Sequence, residues 1–208
     1  MSHFKPTLYY IHDPMCSWCW GFRAVWMQVQ KQLNDQVEIH SVLGGLAPDS
    51  NQAMPESMRQ SIRNNWQRIQ QTIPGTKFNY DFWHVCTPRR STYPACRAVV
   101  AAGMQSESYK KAMVFAIQQA YYLNAKNPSD DSVLTQLAID IGLDGKRFET
   151  DLVSGECKAL FQNELQLTAQ LNVSSFPDLV LKHNGVNTDI QIDYNNSDVI
   201  VADILALI

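Results

Sequence analysis

Residues 7–22 read TLYYIHDPMCSWCWGF, and the fold turns on them. Thr7 to His12 is rich in β-branched and aromatic side chains, which suits a strand, and Asp13-Pro14 then ends any ladder because proline has no N–H to donate. From Ser17 the apolar residues Trp18, Phe22, Val25, Trp26, Val29 and Leu33 recur three or four apart up to Asn34-Asp35. That is the period of a helix, here about 17 residues long. Cys16 therefore stands where a helix begins, with Cys19 nearly one turn farther in. Outward from this stretch, Gln36 to Leu43 alternates Val37, Ile39, Ser41 and Leu43 on one face before Gly44-Gly45, which predicts a second strand.

The chain has 208 residues, 45% hydrophobic and 18% charged, the composition of a globular protein with one core or two closely joined lobes. Seventeen Lys and Arg against twenty Asp and Glu leave a formal charge of −3. The charge count offers no basic field for phosphate backbones, so nucleic acid is not an expected partner. The longest apolar runs, at 98–102 and 112–117, fall short of the roughly 20 residues that cross a bilayer, and no membrane association is expected. The start MSHFKPTLYYIHDPMC passes from a short polar segment into the strand pattern without the basic end, apolar stretch and small-residue cleavage site of a leader. The expected location is cytoplasmic. The five cysteines, Cys16, Cys19, Cys86, Cys96 and Cys157, are an odd number in a chain large enough to fold without covalent staples, so a structural disulfide framework is not expected. In a reducing compartment a pair at the spacing of Cys16 and Cys19 serves metal binding or disulfide exchange.

Between about 48 and 154 strand signals nearly vanish. Helical patterns follow one another at Met54–Ile69, Tyr93–Met104, Tyr109–Asn124, Asp131–Ile141 and Lys146–Val153, with Ile73–Arg90 as the longest candidate loop. After a further helix near Glu156–Leu171, Asp178–His183 and Val186–Ile192 flank the turn Asn184-Gly185 and read as a hairpin. Ser197–Leu207 reads as a last helix, opened by Asn196 or Ser197 as cap. The order βαβ, helices, αββα is that of an α/β thioredoxin-like fold, a central mixed β-sheet flanked by helices, interrupted by an all-helical insertion. The expected division places residues 1–48 and 155–208 in the thioredoxin-like domain and 49–154 in the insertion. Gly44-Gly45 has the spacing of neither nucleotide fingerprint, and no cofactor is expected.

A thiol attacks a disulfide as thiolate, yet an unperturbed cysteine of pKa ~8.5 is only about 3% ionised at pH 7. A helix start supplies unpaired N–H groups and the positive end of the dipole. That is worth roughly 0.3–1 kcal/mol for an exposed charge and up to ~2 kcal/mol when partly buried, or about one pKa unit. In Cys16-Ser17-Trp18-Cys19 the N–H groups of Trp18 and Cys19, together with the Cys19 thiol, can point at the Cys16 sulfur and supply any larger shift. Cys16 is thus the expected nucleophile and Cys19 the thiol that resolves a mixed disulfide. Ser17 and Trp18 affect how the thiolate is solvated, hence how oxidising the pair is. His12 and Asp13 stand close enough to tune it, by imidazolium charge or by carboxylate proton acceptance, set against the plainer readings of a strand-end histidine and a turn former.

The ordered set YYIHDPMCSWCWGF, Phe176-Pro177 ahead of a strand, and a helical block between two halves resembles the DsbA-like thioredoxin family, especially its FrnE-type members, over essentially the whole chain. The resemblance implies a protein disulfide oxidoreductase or isomerase cycling the CSWC pair between dithiol and disulfide, with no metal. Its implied partners are protein or peptide thiols and disulfides, with glutathione a further candidate, and in a reducing cytosol it would work mostly as reductase or isomerase. The resemblance also implies a cis bond before Pro177 facing the pair, so that the Phe176 backbone is offered to an extended substrate, with Trp18 and Phe176 as flanking apolar contacts. One position departs from the pattern: six residues before Cys16, where related proteins often carry a buried acid, stands Tyr10.

Other readings stay open. Kappa-type glutathione transferases and hydroxychromene-carboxylate isomerases share this architecture, but typically place serine where Cys16 stands and lack the pair. A zinc-held binding module would join Cys16 and Cys19 to two ligands from His84, Cys86 and Cys96. Cys86 and Cys96 are also candidates for a second exchange pair, although Cys96 in its apolar pattern and Cys157 at a helix start suit small buried residues equally. Arg89, Arg90 and Arg97 are either solvated charges or attractors of substrate carboxylates.

Overall fold

The computed structural model describes residues 5–208, and the polar start at 1–4, on which part of the leader reading rests, lies outside the described residues. In chain order the elements are β1 (Thr7–His12), α1 (Ser17–Leu33), β2 (Glu38–Leu43), α2 (Glu56–Thr72), α3 (Phe82–Val85), α4 (Tyr93–Gln105), α5 (Tyr109–Tyr122), α6 (Asp131–Asp140), α7 (Gly145–Val153), α8 (Gly155–Gln170), β3 (Asp178–His183), β4 (Val186–Asp189) and α9 (Ser197–Leu205). The strands form one mixed sheet in the order β2-β1-β3-β4, with β1 parallel to β2, β1 antiparallel to β3 and β3 antiparallel to β4. This is the thioredoxin-like arrangement expected from the order of elements.

Period-two alternation gives the sheet two apolar faces. Leu8 and Tyr10 of β1 and Leu179 and Leu181 of β3 join Phe22, Trp26, Ile200 and Ile204, so α1 and α9 cover one face. Ile11, Val42 and Val180 point the other way, against Leu171 at the end of α8. In the helical block, α4 is apolar almost all round, with Ala95, Ala98, Ala101 and Ala102 buried among valines. Such small side chains let α5, α7 and α8 pack closely about it. The largest apolar cluster runs through this block into Met15 and Leu43, which seats the turn before Cys16 directly on the helices.

Three local expectations shift. The segment Asn34–Gln36 is a 3-10 turn, so β2 begins only at Glu38. As an edge strand β4 ends at Asp189, although the buried Ile190 still donates its N–H to the Leu179 carbonyl at 2.9 Å. The 73–90 loop contains α3, because Phe82 and Trp83 find a core site against Trp66 and Tyr121. The hairpin turn has Asn184 at φ 51° and Gly185 at φ 81°, the left-handed pair that a two-residue connection requires. Asn196 caps α9, its side chain accepting from the Asp198 N–H at 3.0 Å. Among the described residues no helix is long and apolar enough to cross a membrane.

Candidate active site

Cys16 is the N-cap of α1, with extended backbone (φ −80°, ψ 119°) and no side-chain cap. Its own N–H donates to the Asp13 carbonyl at 3.0 Å, closing the turn that carries the chain from strand to helix. Both thiols are free and almost wholly buried, Cys16 5% exposed and Cys19 0%. Their pKa values are nevertheless shifted in opposite directions. A hydrogen bond from the Cys19 thiol, then the N–H groups of Cys19 and Trp18, hold the Cys16 thiol below the ordinary value against burial and the nearby Asp13 charge. Burial first, and then the same bond seen from the donor's side, pushes Cys19 well up. The protonated Cys16 thiol donates to the Phe176 carbonyl at 3.3 Å, a contact that ionisation removes. The Cys16 thiol is thus the more readily ionised of the two, and Cys19 keeps its proton.

The residues around the pair divide by what they touch. The Phe176–Pro177 bond is cis, and it brings the Phe176 carbonyl to Cys16. Trp18 is half-buried between Tyr194, at 5.1 Å between ring centroids, and the Arg68 guanidinium, 5.2 Å from its ring. Ser17 accepts from the Trp66 indole N–H at 2.8 Å, which ties α1 to α2. Gly44, which reads as a strand stop, proves to be a packing requirement as well, because a Cβ there would fall inside the Phe176 ring. Gly44→Ala is accordingly expected to cost about 1–3 kcal/mol by overpacking. It should also move the Phe176 carbonyl off Cys16, read by chemical denaturation and by a change in Cys16 alkylation rate; an unchanged rate would show that the ring does not place the carbonyl.

His12 and Asp13 are both deeply buried, at 3% and 0% exposed. Burial lowers the His12 pKa to about 4, so at neutral pH the ring is uncharged, and the imidazolium influence expected of it does not operate. Its Nε2 is bonded to Ser41 Oγ at 2.7 Å. Asp13 is more than a turn former. Its Oδ1 accepts from the Met15 N–H at 2.7 Å, and its Oδ2 accepts from the Leu46 N–H at 2.7 Å, Thr92 Oγ1 at 2.6 Å and the Cys96 thiol at 3.5 Å. Burial raises its pKa and these bonds offset part of the rise. One carboxylate therefore joins the cysteine turn, the loop after β2 and the start of α4.

The remaining polar candidates are accounted for separately. Cys86 donates to the Ala125 carbonyl at 3.1 Å and Cys157 to the Arg97 carbonyl at 3.3 Å, so with Cys96 each of these sulfurs has its own partner. Among the described residues no three His, Cys, Asp or Glu side chains are placed to hold a metal, so the donors invoked for a zinc module do not converge. Arg97 forks onto Asp49 at 2.8 Å through both terminal nitrogens, and Arg89 is held by Asp130 and the Ser129 carbonyl. Neither is free to attract a substrate carboxylate. Sequence reasoning missed Thr92 and Leu46 as partners of Asp13, because nothing local marks them.

Comparison with known proteins places this geometry. A family model described as thioredoxin matches residues 9–201. The ClpXP adapter protein SpxH of Halalkalibacterium halodurans is 26% identical over 191 residues, covering 89% of this chain and 61% of the relative. SpxH of Bacillus subtilis is 26% identical over 178 residues, covering 84% and 58%. The chain thus spans about three-fifths of the length of the curated relatives it matches. Among solved structures, a Nitrosomonas europaea protein provisionally described as a protein disulfide isomerase superposes with a TM-score of 0.83 at 28% identity, covering 98% of this chain and 97% of that one. The cytosolic disulfide reductase DsbM of Pseudomonas aeruginosa superposes with a TM-score of 0.76 at 24% identity, covering 97% and 98%. With a thioredoxin match running from β1 into α9, and a free Cys-x-x-Cys pair at the start of α1 facing a cis-proline turn, the chain belongs to the thioredoxin family.

Proposed function

We propose that the protein is a thiol-disulfide oxidoreductase of protein and peptide disulfides, working as a reductase or isomerase, with Cys16 as nucleophile and Cys19 as resolving thiol. The observation that carries this reading is the free, buried Cys16–Cys19 pair at the start of α1, with the Phe176 carbonyl of the cis Phe176–Pro177 turn 3.3 Å from the Cys16 sulfur; the hydrogen bonds that lower the Cys16 pKa agree with it. The Cys16 thiolate attacks one sulfur of a substrate disulfide, forming a Cys16–substrate bond and releasing the other sulfur as a thiolate that takes up a proton. Cys19 then loses its proton and attacks Cys16, releasing the second substrate thiolate and leaving a Cys16–Cys19 disulfide. Two electrons have passed to the substrate, and an external thiol must return them. Trp18, Phe176 and Pro177 border Cys16 and suit an extended peptide. A cytosolic location, and glutathione as one returning thiol, are supported by the DsbM description and by a DsbM structure with GSH.

Cys19→Ser tests the assignment. It is expected to accumulate a Cys16 mixed disulfide with a model peptide, visible as a mass adduct, while dithiol-driven turnover falls about tenfold or more. Full turnover in that variant would remove Cys19 from the mechanism. The names of the curated relatives favour a second reading, in which a surface of this chain delivers a protein to ClpXP. Partner delivery that survives replacement of both cysteines by serine would support it. Glutathione conjugation that survives Cys16→Ser would instead favour the transferase reading.

A further inference from the structure

A cleft of about 510 Å³ opens between α1 and β2 on one side and α5 on the other. Its lining includes Cys19, although not Cys16, Trp18 or Phe176. Part of the lining is polar, supplied by β1, β2 and α5. Tyr10 and His12 lie on the same face of β1 with rings stacked 4.8 Å apart, Ser41 faces Tyr10 across the sheet, and Gln118 comes from α5. His12 and Gln118 are each only 3% exposed, and among the described residues the His12 Nδ1 has no hydrogen-bond partner while Ser41 holds Nε2. A buried imidazole nitrogen without a partner beside a cleft is costly unless something polar enters.

The chemistry supplies a need for such a cleft. Cys19 must shed a proton before it can attack, and none of its immediate neighbours is an open acceptor. Tyr10, Tyr122 and Tyr194 are phenols that burial keeps protonated. Asp13 is the nearby carboxylate, yet both its oxygens are already taken by Met15, Leu46, Thr92 and Cys96. The Cys16 sulfur is itself bonded to substrate at that moment. At the cleft rim Glu107 pairs with Lys110 and Glu38 with His40, each at 2.9 Å. Arg23 on α1, lying 3.9 Å over the Phe115 ring, and Lys111 on α5 bring positive charge that favours loss of a proton, and Glu164 on α8 faces the same space.

We propose that this cleft is the proton exit of Cys19, in which His12 and Gln118 are positioning residues that hold the accepting water against the thiol. The inference rests on Cys19 being the resolving thiol. In the step the Cys19 S–H bond breaks and its proton passes through water to the buffer. The freed electron pair forms the Cys16–Cys19 bond as the bond from Cys16 to the substrate sulfur breaks, and the departing thiolate is protonated in solvent.

The test uses dithiobis-nitrobenzoate in a Cys86→Ser background, which removes the one other thiol that is not fully buried. The coloured thiolate is released once as Cys16 attacks and once more as Cys19 resolves, so each step has its own phase. The second phase of the parent protein should accelerate with imidazole concentration and slow about twofold in heavy water. Val114→Trp, which fills the cleft from α5, should leave the first phase within about twofold, slow the second about fivefold or more and abolish the imidazole response. Gln118→Leu, nearly isosteric and safer for folding, should slow the second phase at pH 7 with a gap that closes as pH rises. A native imidazole response in Val114→Trp, or a second phase in Gln118→Leu equal to the parent's at pH 7, overturns the proton exit. Absence of any second release in the parent overturns the resolving role of Cys19 instead.

Discussion

Cys16→Ser protein is expected to lose disulfide exchange down to background, a fall on the order of 10³-fold or more in turnover of an insulin or aryl-disulfide substrate. A serine hydroxyl is not appreciably ionised at neutral pH and is a poor nucleophile toward sulfur, so no neighbour can rescue it. The pH dependence carries more information than the loss. The reactive form is the thiolate, and the Cys19 thiol with the N–H groups of Cys19 and Trp18 hold the Cys16 pKa below the ordinary value. Alkylation of Cys16 by iodoacetamide should therefore reach its plateau at lower pH than that of Cys86, whose thiol burial pushes up. Below its own pKa the Cys16 rate falls with acidification as the thiolate is protonated. Cys19→Ala removes the leading stabiliser and should move the Cys16 profile upward in pH. Superposable profiles for Cys16 and Cys86 would sink the thiolate assignment, and with it the proposed nucleophile.

Asp13→Ala is expected to be the most destabilising single change near the site, at about 3–5 kcal/mol by chemical denaturation. The substitution strands the buried Met15 N–H and the part-buried Leu46 N–H, and withdraws the acceptor of the buried Thr92 hydroxyl. Each unsatisfied buried donor costs roughly 1–3 kcal/mol, which sets the total. The sign of the pH effect follows from burial raising the Asp13 pKa in the folded state. Stability gained from the protonated carboxyl is complete below the unfolded pKa and is lost as pH rises through the folded one. Asp13→Asn does not titrate, so the stability gap between the parent and this variant should narrow as pH rises through that window. A gap that widens instead would mean the carboxylate is stabilised by its donors more than burial opposes it. A cost below about 1 kcal/mol for Asp13→Ala would show that the loop after β2 and the start of α4 do not depend on this carboxylate.

The elements best read from the chain are those set by local physics. The bounds of β1, α1 and β3 follow from apolar periods and from Asp13-Pro14, and the hairpin turn from Asn184-Gly185. Asn196 capped its helix for the same reason, since a cap acts within three residues. The boundaries that moved, at Asn34–Gln36 and at Asp189, are places where the pattern was continuous but the partner strand or the chain's turn was not. The short helix at Phe82–Val85 was hidden because its two buried aromatic residues find their core site against Trp66 and Tyr121, which lie far off in the chain.

The amino-acid order alone determined that a thiol pair opens a helix after a buried strand, because helix period, proline and Cys-x-x-Cys spacing all act over a few residues. Tertiary structure alone decided what those residues experience. Asp13 meets Thr92 and Cys96, 79 and 83 positions away, and becomes a buried junction where the local signal was only a turn. Ser17 is taken by Trp66, 49 positions on, and His12 loses its charge to burial between sheet and helices. Desolvation and hydrogen-bond partnership depend on which distant segments arrive at the same place, and a one-dimensional pattern carries the period of a surface without the identity of what covers it.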